Sequence, residues 1–389
     1  VKILIAGGGI GGLCLAQGLM KIGIDFLVFE RDSLDTSRKQ GYRLKIDADG
    51  DSALHACLPY CLYQLFRATT NSPGQPPMGA FDSNLNLIYR LPDPPPGAPP
   101  HVAIDRQVLR QILLSGLGDR FEGGRKVVRA ESSADGAEVE LETGEKFEGE
   151  LVVAADGRDS TLRKSILPSA AVHDLQMTCV YGKTPLSALA EEDLPSELRR
   201  GFLPILGEDR ITLGMGLYRS QTSLAEAWAK YAPDVLCPEV KPYVMWVLVF
   251  PNSVRQSRDL RKEVMRLTDN WETRLRLLLS MADPTSLAET QMCSSARLEP
   301  WPSSRITFLG DSIHCMTPAG GIGANTAMRD ASNLWSILGQ VNLGAFSMNE
   351  GIVQYENRMR DYGFEAVAKS LAAARALYRV TWEGANECL

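Results

Sequence analysis

The sequence predicts an α/β protein: a helix-flanked parallel-sheet domain, interleaved with a mixed-sheet α+β domain and followed by a helical C-terminus. Three observations predict it. Short apolar runs at Lys2–Ala6, Leu151–Ala155 and Arg305–Leu309 have the character of strands buried on both faces, as in parallel sheets. A glycine cluster at Gly7–Gly12 separates the first run from helically spaced apolar residues over Leu13–Ile22. Between about 170 and 295 the pattern changes to longer strands mixed with short helices, which marks a second unit.

In chain order, Lys2–Ala6 is a strand, Leu13–Ile22 a helix and Asp25–Phe29 a second strand ending in Glu30, which together begin a βαβ unit. Cys57 and Cys61 are expected to share a helix. Residues 72–100 are proline-rich, so loop or extended structure is expected there, with a hairpin over Met78–Leu91 turning at Asn84–Asn86. Asp105 is the expected N-cap of a helix running to Leu114. Glu138–Leu141 and Glu145–Glu150 alternate as a half-exposed hairpin turned at Gly144. In the second unit, Gln176–Thr184, Ile211–Arg219 and Tyr243–Phe250 are expected strands, and Leu224–Tyr231 and Trp271–Met281 helices. Helices over Asn325–Leu338 and about 347–379 close the chain.

The 389 residues carry 41 Lys+Arg against 47 Asp+Glu, a net charge of −6, which argues against nucleic acid as a partner. The longest apolar run, Tyr243–Phe250, is far short of the roughly 20 residues that span a bilayer, so no transmembrane segment is expected. None of the eight cysteines forms C-x-x-C, and H-E-x-x-H, G-x-S-x-G and the P-loop pattern are absent, so no metal site, serine-hydrolase elbow or Walker motif is expected. The chain opens at Val1 without Met, which leaves a lost leader open. The expected location is the cytoplasm.

Gly7, Gly9 and Gly12 satisfy G-x-G-x-x-G between strand and helix, the arrangement of a Rossmann-like turn in which backbone and helix amides approach a pyrophosphate. Glu30, at the end of the next strand, is placed to accept from ribose hydroxyls. These residues alone fit either NAD or FAD. Two more strand-end motifs follow, Ala154-Ala155-Asp156-Gly157 and Leu309-Gly310-Asp311, the latter leading into a loop that ends at Gly321-Ile322-Gly323-Ala324-Asn325.

In this order and spacing the three motifs resemble the FAD-dependent monooxygenases of the para-hydroxybenzoate hydroxylase type (class A), whose terminal motif is matched at Gly310, Asp311, His314, Pro318, Gly321, Gly323 and Asn325. The resemblance implies a GR2-type FAD-binding domain over 1–71, 101–170 and 296–345, a substrate domain over 72–100 and 171–295, and a C-terminal helical segment over 346–389. It implies non-covalent FAD held by Gly7, Gly9, Ile10, Gly11, Gly12, Glu30, Arg31, Gly41, Arg43, Arg106, Asp156, Gly157, Gly310, Asp311, Pro318, Gly321, Gly323, Ala324 and Asn325. Asp311 would bond the ribityl chain, and the Pro318–Asn325 amides would face the pyrimidine edge of the flavin.

The activity implied is insertion of one atom of O2 by way of a flavin hydroperoxide. NAD(P)H serves as a transient co-substrate, since a second G-x-G-x-x-G is absent. Hydroxylation, epoxidation and Baeyer–Villiger insertion all stay open, on a largely apolar, aromatic or polycyclic small molecule such as a secondary metabolite. Catalytic side chains also stay open. His314 is either a proton relay or support for its loop, and Arg219 and Tyr181 are further candidates on middle strands. The halogenase pattern W-x-W-x-I-P is not met by Met245–Pro251. A reductase or dehydrogenase on the same fold, or a non-catalytic binding protein, are the rival readings.

Overall fold

The computed structural model describes residues 1–33, 42–71, 79–90, 97 and 101–381. Its first sheet is fully parallel, with strands Ile306–Phe308, Leu151–Ala154, Lys2–Ala6, Asp25–Glu30 and Phe121–Gly123 side by side. Parallel neighbours need long crossovers. Here one crossover is the helix Ile10–Lys21, and another is most of the second unit, including five of its seven sheet strands, inserted between Leu151–Ala154 and Ile306–Phe308. Ile3, Leu4 and Ile5 are fully buried because both faces of the central strand are covered. The helices Ile10–Lys21 and Gly323–Asn342 pack against each other, and the antiparallel strands Val127–Ser132, Ala137–Leu141 and Lys146–Gly149 contribute Val139 and Leu141 to the same core.

The second sheet has seven strands in the order Ala288–Ser295, Val172–Pro185, Tyr243–Pro251, Thr212–Tyr218, Leu203–Leu206, Gly79–Asp82 and Leu87–Arg90. It is mixed: neighbours run antiparallel except Leu203–Leu206 against Gly79–Asp82. Its central strand Tyr243–Pro251 is buried throughout, which explains the unbroken apolar run. Strand side chains alternate between faces. Val244, Trp246, Leu248 and Phe250 pack on helices Leu260–Leu267 and Thr273–Ser280, while Met245 and Val247 face a cleft shared with the first sheet.

The C-terminal helix Met348–Tyr378 starts with a capping box between Ser347 and Glu350. It lays Leu371, Ala374 and Tyr378 against Met177, Cys179 and Val249 of the second sheet.

Several expected elements differ. Cys57 and Cys61 do not share a helix: Ala48–Cys57 and Tyr60–Thr69 are separated by Leu58-Pro59, where proline serves as N-cap because it lacks the donor that continuation needs. The strand expected from Gln176 begins at Val172 and carries a bulge between Asp174 and Thr178, with Gln176 at φ +57°. The helix expected from Asn325 begins at Gly323 and runs to Asn342. The short strand Arg43–Ile46, paired antiparallel with Val102–Asp105, has no counterpart in the sequence reading. Most of the proline-rich stretch lies outside the described residues. Its hairpin, Gly79–Asp82 with Leu87–Arg90, turns where Asp82 accepts from the amides of Asn84 (2.9 Å) and Asn86 (2.8 Å).

Candidate active site

One cleft of about 1620 Å³ runs from the C-terminal ends of the parallel strands to the face of the mixed sheet. At the parallel end, Gly7 (φ +119°) and Gly12 let the turn close on itself. A Cβ on Gly7 would stand 2.2 Å from the Ala155 carbonyl oxygen, and one on Gly12 2.2 Å from that of Gly7. Gly9 is different. A Cβ there meets no protein atom within 4 Å, and the helix Ile10–Lys21 that it caps has no side-chain cap for its first amides. A turn that keeps open space before uncapped helix amides is an anion cradle. Glu30 accepts from the Gly8 amide (2.7 Å) and the Asp32 amide (2.9 Å), so its carboxylate fixes the turn and retains one lone pair on each oxygen.

The other two strand ends arrive beside this turn. Asp156 Oδ2 accepts from the amides of Thr161 (3.0 Å) and Leu162 (3.4 Å), while its buried Oδ1 has no protein partner. Burial raises the Asp156 carboxyl, opposed by the Ser160 hydroxyl and these amides. Asp311 is exposed to the cleft. The surrounding protein still dehydrates it enough to raise its carboxyl, against the pull of His314, Arg106 and Arg158. An orphaned carboxylate oxygen, a cleft-facing Asp and an open glycine turn fit a dinucleotide with ribose and ribityl hydroxyls.

Of the sequence-predicted cofactor residues, Gly7, Gly9, Ile10, Gly11, Gly12, Glu30, Arg31, Arg43, Arg106, Asp156, Gly157, Gly310, Asp311, Pro318, Gly321, Gly323 and Ala324 all line this cleft. Gly41 lies outside the described residues. Asn325 is buried with its side chain turned away: Nδ2 donates to the carbonyls of Lys45 (2.9 Å) and Gly321 (3.0 Å), and Oδ1 accepts from the Asp47 amide (3.1 Å). It shapes the loop rather than lining the cleft.

The three catalytic candidates separate. His314 is fully buried, does not line the cleft, and places Nε2 2.6 Å from Asp330 Oδ2. Asp330 also accepts from the Gly310 amide (2.8 Å) and Tyr362 hydroxyl (2.7 Å). Burial disfavours the imidazolium, yet the Asp330 carboxylate overrides it and the His314 pKa is raised. His314 therefore braces the loop from behind. Arg219 is exposed and outside the cleft, because its strand ends at Tyr218, whose hydroxyl donates to the Thr69 carbonyl (3.1 Å). Tyr181 does line the cleft, stacked on Tyr42 at 4.8 Å and 19°, and dehydration holds its phenol well above the usual value, so it stays a donor.

Sequence reasoning missed Asp330, Tyr42 and Lys45. Asp330 stands five positions after Asn325 on a helix face otherwise buried with Met328, Ala331 and Leu334, so an acid among core positions was the available signal. Lys45 Nζ donates to the Gly320 carbonyl (3.0 Å), closing the strand Arg43–Ile46 onto the glycine loop.

The chain matches the FAD binding domain family over residues 120–370. It is 29% identical to the dual O-methyltransferase/FAD-dependent monooxygenase elcB of Phaeosphaeria nodorum, over 97% of this chain and 46% of that protein. It is 26% identical to the FAD-dependent monooxygenase thnD of Trichoderma harzianum, over 96% and 91%. A crystal structure of a candidate FAD-containing monooxygenase from Photorhabdus luminescens superposes with a TM-score of 0.80 at 28% identity, covering 98% of this chain and 100% of that one. The chain spans about half the length of the dual O-methyltransferase/monooxygenase relatives it matches. It belongs to the FAD-binding domain family of class A flavoprotein monooxygenases.

Proposed function

We propose that this chain is an FAD-dependent monooxygenase that uses NAD(P)H and O2 to place one oxygen atom into a largely apolar, aromatic or polycyclic small molecule. The reaction would be a hydroxylation, an epoxidation or a Baeyer–Villiger insertion. The observation that carries this reading is the continuity of the cleft. The space beside Gly9 and Asp311 opens without a wall onto the apolar face at Met245, Val247 and Tyr181.

When bound, FAD supplies the redox and oxygen-activating chemistry. The protein's own groups do the rest. The Gly9 turn and uncapped helix amides would hold the pyrophosphate, Glu30 and Asp311 would accept from sugar and ribityl hydroxyls, and Arg106 would add positive charge nearby. The cleft-lining loop Pro318 to Ala324 would offer its backbone to the flavin, backed by the start of the helix Gly323–Asn342. Tyr42 and Tyr181 offer a flat wall for a planar substrate, and Met245, Val247 and Leu377 keep water from it. Tyr181, held neutral, donates to a substrate oxygen.

The interleaved domain bounds set out from the sequence belong to this proposal. So does a cytoplasmic location, which is supported by seven free thiols among the described residues. No helix among the described residues is long and apolar enough to cross a membrane. Protein reconstituted with FAD is expected to show flavin absorption bands and to oxidise NAD(P)H faster with a polycyclic phenol present. It should also transfer label from ¹⁸O2 to product. A bound ligand that is reduced at the expense of NAD(P)H, or oxidised without NAD(P)H being consumed, with no label in any product, overturns the reading in favour of a reductase or a dehydrogenase respectively.

A further inference from the structure

Most cationic residues of the cleft stand near acids: Lys126 pairs with Glu142 at 2.8 Å, and Lys45, whose Nζ donates to the Gly320 carbonyl at 3.0 Å, lies in the field of Asp47 as well as that of Arg43. Arg31, Arg106, Arg110 and Arg158 stand with acids at the parallel-sheet end: Arg31 pairs with Asp32 at 3.7 Å, Arg158 with Asp159 at 3.3 Å, and Arg106 and Arg110 lie in the fields of Asp311 and Glu30. Arg43 is set apart. It leaves its strand towards the mixed sheet, where its Nε donates to the Leu217 carbonyl at 3.1 Å and its stem lies over Gly216.

The strand Thr212–Tyr218 makes room for this. Its side chains alternate, so Gly214 and Gly216 share the cleft face while Met215 points into the core. Phe202 fills the space above Gly214, with its ring 2.4 Å from where a Cβ would be, and Arg43 fills the space above Gly216 at 3.1 Å. Both residues line the cleft. No carboxylate among the described residues forms an ion pair with Arg43. Dehydration lowers its pKa to about 10, partly offset by Tyr243.

A half-buried guanidinium among aromatic and aliphatic walls, with one donor spent on a carbonyl and no carboxylate paired to it, gains from a ligand that supplies the charge. The planar fork of arginine suits an oxyanion. We propose that Arg43 is a specificity-determining residue that pairs with an oxyanion, a carboxylate or an ionised phenol, on a planar multi-ring substrate lying between Phe202 and the Tyr42–Tyr181 stack. This assigns Arg43 to the substrate rather than to the cofactor, and it rests on the reading of the cleft as a monooxygenase site.

The test is calorimetric binding to the FAD-loaded protein, with no turnover required. The probes are 2-naphthoate, its neutral isostere 2-naphthamide, and 2,4-dinitro-1-naphthol, which is ionised at neutral pH. Wild type is expected to bind at least one of the anions tenfold or more tightly than the amide, and whichever anion binds tighter identifies the oxyanion. Arg43→Gln is expected to remove that preference while leaving the affinities for FAD and 2-naphthamide within twofold, and Arg43→Lys to restore part of it. The proposal is overturned if wild type does not prefer an anion, if none of the probes binds at millimolar concentration, or if Arg43→Gln loses FAD rather than the anion. A protein that takes up no FAD at all would instead sink the monooxygenase reading, and the anion preference would still be measurable on it as purified.

Discussion

Asn325 and Lys45, 280 residues apart in sequence, are joined by a hydrogen bond from the asparagine amide to the lysine carbonyl at 2.9 Å. The same amide reaches the Gly321 carbonyl, and its oxygen takes the Asp47 amide, so one buried side chain ties the strand Arg43–Ile46 to the glycine loop.

Replacing Asn325 should therefore cost both stability and cofactor. Three bonds at about 1 kcal/mol each, in a buried place, predict a loss of about 2–3 kcal/mol for Asn325→Ala. Asn325→Asp should be worse, since it sets carboxylate oxygens against two carbonyls. Urea titration gives the stability, and flavin fluorescence on dilution gives FAD retention. Asn325→Asp as stable as wild type would remove the clamp from the account.

Gly9 and Gly7 should respond in opposite ways to a side chain. Gly9→Val has open space in the protein, so thermal stability without FAD should stay within about 1 °C while FAD affinity falls at least tenfold. Gly7→Ala meets the Ala155 carbonyl and a backbone angle that L-residues avoid, so the protein itself should be destabilised by about 1–3 kcal/mol. Melting curves with and without FAD separate the two. A Gly9→Val protein that binds FAD normally would show that the cradle lies elsewhere.

Asp105 is the joint between the two sheets. It caps the helix Arg106–Leu114 through the amides of Gln107 (2.7 Å) and Val108 (3.3 Å), and its other oxygen accepts from Lys183 (2.9 Å) and the Tyr243 hydroxyl (2.7 Å). Asp105→Ala removes the cap and strands a mostly buried ammonium, which predicts a loss of about 3–5 kcal/mol by denaturant titration. Adding Lys183→Met should recover part of that loss. If the double variant is no more stable than the single one, Lys183 and Asp105 are not coupled.

His314 makes stability depend on pH. Its folded pKa is raised, so the contribution is full below its unfolded value of about 6.5 and is lost as pH rises through the folded value. Between pH 6 and pH 8.5, wild type should lose more of its melting temperature than His314→Gln does. Parallel curves would mean that the Asp330 contact does not hold a proton on the ring.

Much of the cofactor end was legible in the sequence, because its chemistry is local. A glycine turn needs Gly7 and Gly12 in place, and strand ends announce Glu30, Asp156 and Asp311 by an acid after an apolar run. Asp105 was readable as a cap for the same reason. The substrate end was not legible. The strand Arg43–Ile46 is too short to show a period, so Arg43 is assigned to the cofactor through the resemblance alone and Lys45 carries no signal. Whether Arg43 faces a cofactor or the mixed sheet depends on Gly216, more than 170 residues away, and on the strand alternation that turns Gly216 towards it. Arg219 illustrates the converse error, since one residue beyond the end of a strand is enough to leave the cleft.

The order of the parallel sheet also bears on how the chain is made. Leu151–Ala154 takes its outer neighbour from Ile306–Phe308, so during synthesis that edge waits unpaired for some 150 residues while five of the seven strands of the mixed sheet emerge. An apolar strand edge exposed for that long invites association with other nascent chains. A ribosome-bound fragment stopped before residue 306 should therefore need chaperone protection that the full chain does not.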